Sequence, residues 1–219
     1  MSVLGELQPN KVFQYFEEIC AIPHGSRNLQ QISDYLVDFA KAHGLKYRQD
    51  EDLNVIIWKD GSKGYEDSDP VILQGHMDMV AVKESDCDKD MEKEGLDLEI
   101  DGDYILAKGT SLGGDDGIAV AYTLAVLDDE EMAHPPIEAI FTVNEEIGML
   151  GAATIDVSDL KGRLFMNMDS EDEGVFTVSC AGGASVICKI PYETETVNAS
   201  VIEIKMDGFT GGHSGVEII

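Results

Sequence analysis

"VILQGHMDMV", residues 71 to 80, decides how this chain folds. A short, nearly continuous apolar run belongs to a strand covered on both faces, as in a parallel or mixed sheet with helices packed on it. The run ends in His76 and Asp78, so the strand acts as a rigid mount that carries two polar side chains to its carboxyl tip.

The same texture recurs outward from this strand. "LNVIIW" (53 to 58), "IEAIFTV" (137 to 143) and "RLFMNM" (163 to 168) read as further buried strands. Between and before them the period changes to that of helices. "NKVFQYFEEICAIP" places Val12, Phe13, Phe16, Ile19 and Cys20 on one side and stops at Pro23. Ile32, Tyr35, Leu36 and Phe39 line a second helix with Gly44 as its C-cap. "GIAVAYTLAVL" (117 to 127) is apolar nearly all round, which suits a helix laid on a sheet. "LEIDGDYILA" (98 to 107) reads as a hairpin turning at Asp101-Gly102. Helices alternating with apolar strands imply an α/β layer architecture with a mixed, largely parallel sheet.

Near "SCAGGAS" (179 to 185) the texture shifts to alternating strands, "SVICKI" and "SVIEIKM", and a domain boundary is expected at about residue 182. The residues after it are too few for a core of their own, so they are expected to begin a larger domain.

Composition narrows the function. With 43 acidic against 15 basic residues the formal net charge is -28, a field that repels nucleic acid and anionic membranes and gathers cations. "KESDCDKDMEKEG" (83 to 95) is a solvated surface run. Neither a basic leader with an apolar core nor a bilayer-length apolar run is visible, so a cytoplasmic location is expected. Cys20, Cys87, Cys180 and Cys188 lack CxxC spacing and are read as reduced thiols.

Three apolar strands end in acid or histidine: His76 with Asp78, Glu145 with Glu146, and Asp169. In open α/β sheets ligands bind beyond the carboxyl ends of the strands, where these tips can meet. "TSLGGDDG" adds Asp115 and Asp116 just before the buried helix. Taken singly, a histidine at a strand end is an ordinary polar cap and "GGDDG" an ordinary turn. So many acids in one crevice would repel one another strongly unless a cation lay between them. A phosphate loop is disfavoured because two aspartates stand where backbone N–H groups would meet phosphate. Asp78 is close enough to orient the ring of His76 or to touch the ion's surroundings. Of the adjacent glutamates, one can ligate while the other moves protons.

"IPHGS", "GHMDMV", "TSLGGDDGIAVA", "FTVNEEIGMLGA", "MNMDSE" and "GGHSG", in that order, resemble the co-catalytic zinc metallopeptidase family in its aminoacyl-histidine dipeptidase branch. The resemblance implies a three-layer α/β/α catalytic domain over residues 1 to 182 and the start of an α+β lid and dimerisation domain over 183 to 219. It implies metal-dependent hydrolysis of dipeptides, of Xaa-His type or broader, with His76, Asp115 and Asp169 on one ion. Asp115 would bridge to a second ion that Glu146 also binds. Asp78 would orient a ligand, Glu145 would be the general base, and His213 would help to bind substrate. Two zinc ions are implied, manganese or cobalt being the alternatives, together with a homodimer. Gly114 and Asp116 depart from the family's usual Ala and Asn, and Asn144 stands where many relatives carry Asp. The final histidine ligand of the second ion has no counterpart here, so that site is expected to be weak and the activity of this chain alone is left open. Other readings are a related amidohydrolase (aminopeptidase, carboxypeptidase or N-acyl deacylase) or a non-catalytic metal-binding protein.

Overall fold

The computed structural model describes residues 2–170, 174–180, 182, 186–196, 198, 200, 202–206 and 208. The chain divides into two compact units, Met1–Glu173 and Gly174–Ile219. The change of texture read near residue 182 lies inside the second unit.

The first unit is built on a five-stranded sheet in the order β1-β2-β6-β3-β7. Its strands are β1 (Lys46–Gln49), β2 (Val55–Lys59), β3 (Val71–His76), β6 (Ile137–Thr142) and β7 (Leu164–Asn167). Only β2 runs against the others, because β1 and β6 pair with it antiparallel while β6, β3 and β7 are mutually parallel. The sheet is thus mixed and largely parallel. All six residues of β6 are buried, as its apolar sequence and central place require.

Alternation along the strands divides the core. Val55, Ile57, Leu73, Ala139 and Phe141 face one side, where α1 (Asn10–Cys20), α2 (Gln30–Ala42) and α3 (Gly114–Asp128) cover them. Phe141 is wholly buried there, which contributes about 1.5–3 kcal/mol. Ile56, Ile72 and Ile140 face the other side and meet Trp58, Ile155 and Leu160. This second cluster is small among the described residues, Ile155 and Leu160 coming from the segment that follows α4 (Leu150–Thr154). Glu138 ties that segment down, its buried carboxylate accepting the N–H groups of Lys161 at 3.0 Å and Gly162 at 2.9 Å.

The helix ends follow local chemistry. After α2, Gly44 adopts φ +64°, the Leu45 N–H donates to the Ala40 carbonyl at 2.8 Å, and the Gly44 N–H to that of Lys41 at 3.2 Å. This paired motif needs a left-handed residue, which glycine supplies without a Cβ clash.

Three expectations are corrected. The hairpin β4 (Leu98–Asp101) and β5 (Tyr104–Ala107) forms, but Asp101 pairs with Tyr104, so its turn residues are Gly102 and Asp103. β7 is exposed rather than buried, with Leu164 at 60% and Phe165 at 54%, because it is the edge of the sheet. The described residues of "SVICKI" and "SVIEIKM" form no strand; an alternating pattern is realised only when a partner strand takes up its hydrogen bonds.

Candidate metal centre

Parallel pairing of β6, β3 and β7 brings three carboxyl ends to one edge, and each carries its polar residues just past the strand. His76 closes β3, Asn144 to Glu146 follow β6, and Asp169 follows β7. The fourth contributor is the start of α3. Asp115 and Asp116 have non-helical backbone angles, so regular helix begins only at Gly117, and the two carboxylates are set by the loop instead. Gly75 permits this approach: a Cβ there would lie 2.8 Å from Asp116 Oδ2 and 2.9 Å from the Ala119 Cβ.

His76 is 1% exposed and lies at the centre. Its Nδ1 donates to the carbonyl oxygen of Asp78 at 2.9 Å, and the Asp78 carboxylate is farther, at 3.5 Å. A carbonyl oxygen only accepts, so Nδ1 must carry a proton. Nε2 then faces Asp115 Oδ1 at 2.9 Å, with Glu145 Oε2 and Asp169 Oδ2 each at 3.9 Å. A ring nitrogen surrounded by carboxylate oxygens needs a proton or a cation between them. Two sets of donor atoms lie within 4.8 Å of one another: His76, Asp115 and Glu146; and His76, Glu145 and Asp169.

The ionisation of the cleft reflects this crowding. Burial depresses the His76 pKa, but the Asp78 carboxylate beside Nδ1 and the charges of Asp116 and Asp169 outweigh it and raise it to about 10. Burial pushes Asp116 up to about 8, opposed by His76 and helped by Asp169 and Asp115. Burial likewise raises Glu145 and Glu146, with neighbouring carboxylates adding to it. Asp78 goes the other way: burial would raise it, but His76, the Glu145 N–H and the Ser26 hydroxyl hold it below the usual range. Imidazole nitrogen beside several carboxylates is a donor set for zinc, manganese or cobalt, and a divalent charge would relieve the repulsion that these shifts express. The residues therefore fit a metal.

All the unit-one residues singled out from sequence meet here: His76, Asp78, Asp115, Glu145, Glu146 and Asp169. By distance Asp169 clusters with Glu145, and Glu146 with Asp115, each set sharing His76. His213 lies outside the described residues. Two further participants were assigned no contact by the sequence: Asp116, counted there among the converging acids, and Ser26. Asp116 Oδ2 accepts the His76 backbone N–H at 3.1 Å, and Ser26 donates to Asp78 Oδ2 at 2.8 Å. Their only signal was their place inside "GGDDG" and "IPHGS".

Comparison with protein-family models gives no match. The chain is 39% identical over 220 residues to the cytosol non-specific dipeptidase of Escherichia coli (strain K12), matching all of this chain and 45% of that relative. It resembles the crystal structure of aminoacylhistidine dipeptidase from Vibrio alginolyticus with a TM-score of 0.76 and 42% identity, over 78% of this chain and 35% of that one. A tripeptidase from Staphylococcus aureus shares the fold with a TM-score of 0.63 at 24% identity, over 77% and 45% of the two chains. The chain spans less than half the length of these relatives.

Proposed function

We propose, from the premise that this chain belongs with the cytosol non-specific and aminoacylhistidine dipeptidases, that its metal centre serves the hydrolysis of dipeptides. The observation that carries the reading is the convergence of His76, Asp115, Glu145, Glu146 and Asp169 into two overlapping three-donor sets.

His76, Asp115 and Asp169 would hold one divalent cation, and Asp115 with Glu146 would hold a second. Zinc suits the donors, as do manganese and cobalt. Bound there, the cations supply Lewis acidity, lowering the pKa of water and polarising the scissile carbonyl. Asp78 keeps His76 and the Glu145 turn in place. The Glu145 carboxylate takes the proton of the attacking water and passes it to the leaving amine, and its raised pKa brings it nearer the neutral range where such exchange is efficient. His213, by its place in "GGHSG", helps to bind the dipeptide. Residues 183 to 219 begin the lid domain, and the protein works in the cytoplasm as a homodimer. Among the described residues no helix is long and apolar enough to cross a membrane.

Release of amino acids from Xaa-His and other dipeptides, before and after chelation and zinc re-addition, tests the reading. Hydrolysis should depend on the metal, and Glu145→Gln should slow it by about 10²–10⁴-fold while zinc content stays the same. Chelator-resistant hydrolysis, or full activity in Glu145→Gln, would overturn it.

A further inference from the structure

Ser26 stands on the loop that follows α1, 52 residues before Asp78 in the chain. That loop docks on the exit of β3: the Ser26 N–H donates to the Met79 carbonyl at 3.1 Å, and Gly25 forms an isolated parallel bridge with Met79. From this anchored backbone the Ser26 hydroxyl donates to Asp78 Oδ2 at 2.8 Å, and the Arg27 N–H donates to Asn144 Oδ1 at 2.8 Å. The loop thus grips Asp78, two residues after His76, and Asn144, the residue before Glu145. The Asp78 carboxylate in turn accepts the Glu145 N–H on Oδ1 at 2.9 Å and the Glu146 N–H on Oδ2 at 3.4 Å.

This arrangement makes Asp78 a hub whose orientation depends on the serine. The Glu146 contact is long, so the Ser26 hydroxyl is the short bond on Oδ2. Removing it leaves one edge of the carboxylate held only by the weaker amide contact. Resting on the metal-centre reading above, we propose that Ser26 is a positioning residue: by holding Asp78 Oδ2 it fixes the Asp78 carboxylate, and through it the backbone that aims Glu145 and Glu146 into the cleft.

The test compares the unsubstituted chain with Ser26→Ala and with Ser26→Thr, which keeps the hydroxyl. Ser33→Ala serves as a structural control, because the Ser33 hydroxyl donates to the Leu53 carbonyl at 2.7 Å, outside the metal centre. Amide hydrogen exchange, followed by NMR on metal-free protein, should be about tenfold faster at Glu145 and Glu146 in Ser26→Ala. Co²⁺ affinity, followed by visible absorption, should fall by about tenfold, the ordinary effect of losing a group that supports a ligand. Ser26→Thr should restore both, and Ser33→Ala should alter neither. Unchanged exchange at Glu145 and Glu146 in Ser26→Ala, or equal changes in Ser33→Ala, would overturn the proposal. A chain that binds no Co²⁺ at all would sink the metal-centre reading, while the metal-free exchange rates would still decide whether Ser26 positions the glutamates.

Discussion

Asp78 reaches Glu145 through the backbone: its Oδ1 accepts the Glu145 N–H at 2.9 Å, although the two residues are 67 apart in the chain. The carbonyl of Asp78 meanwhile accepts the hydrogen bond of His76 Nδ1–H. One residue therefore orients the His76 ring with its main chain and a glutamate turn with its side chain, and both contacts rest on its being an acceptor.

Asp78→Asn removes half of the side chain's accepting capacity at nearly constant volume and leaves the main-chain carbonyl in place. Zinc affinity should fall by about 10–100-fold, measured by competition with a chromophoric chelator. An unchanged affinity would show that the carboxylate has no part in shaping the centre.

Divalent metal should stabilise the folded chain by mass action. At one hundred times the dissociation constant the gain is about 2.7 kcal/mol, or roughly 5–10 °C in melting temperature for a chain of this size. Calorimetry with and without zinc reads this directly. His76→Ala, which takes the shared donor from both three-residue sets, should abolish the rise.

Gly75→Ala probes the contact between β3 and α3. The added Cβ would press on Asp116 Oδ2 and the Ala119 Cβ, both under 3.0 Å. Overpacking of this kind costs about 1–3 kcal/mol. Urea denaturation should show a lower midpoint, and zinc binding should weaken because Asp115 and Asp116 shift with the helix start.

Acid stability should depend on Asp128 at the end of α3. Its carboxylate pairs with Lys11 of α1 at 2.8 Å. Burial would raise its pKa, but Lys11 and Tyr15 hold it below the usual range. A carboxyl group whose pKa is lowered by folding adds stability above its unfolded pKa, and that stability is lost as pH falls through the folded value. The pair is partly exposed, so the contribution is about 0.2–1 kcal/mol. Asp128→Asn should be less stable at pH 7 and converge with the unsubstituted chain near pH 2 in urea melts.

Much of the layer architecture was legible because apolar period reports which face of an element is covered. The α1 and α2 stripes, the wholly buried β6 and the strand that carries His76 follow from spacing alone. β7 was misread for the same reason: "LFMN" has the texture of a covered strand, yet its place at the edge of the sheet leaves it exposed. Texture does not say which strand ends the row.

The site divides in a similar way. The sequence by itself determined that His76, Asp115, Glu145, Glu146 and Asp169 stand at the ends of apolar elements, since residue type and period are local properties. Only the tertiary structure decided that Asp169 groups with Glu145, that Asp116 accepts the His76 N–H, and that a serine 52 residues upstream holds Asp78. Those choices depend on strand order, on the glycine that lets α3 approach β3, and on hydrogen-bond angles between segments far apart in the chain. No local pattern encodes such distances, because they exist only once the sheet has been assembled.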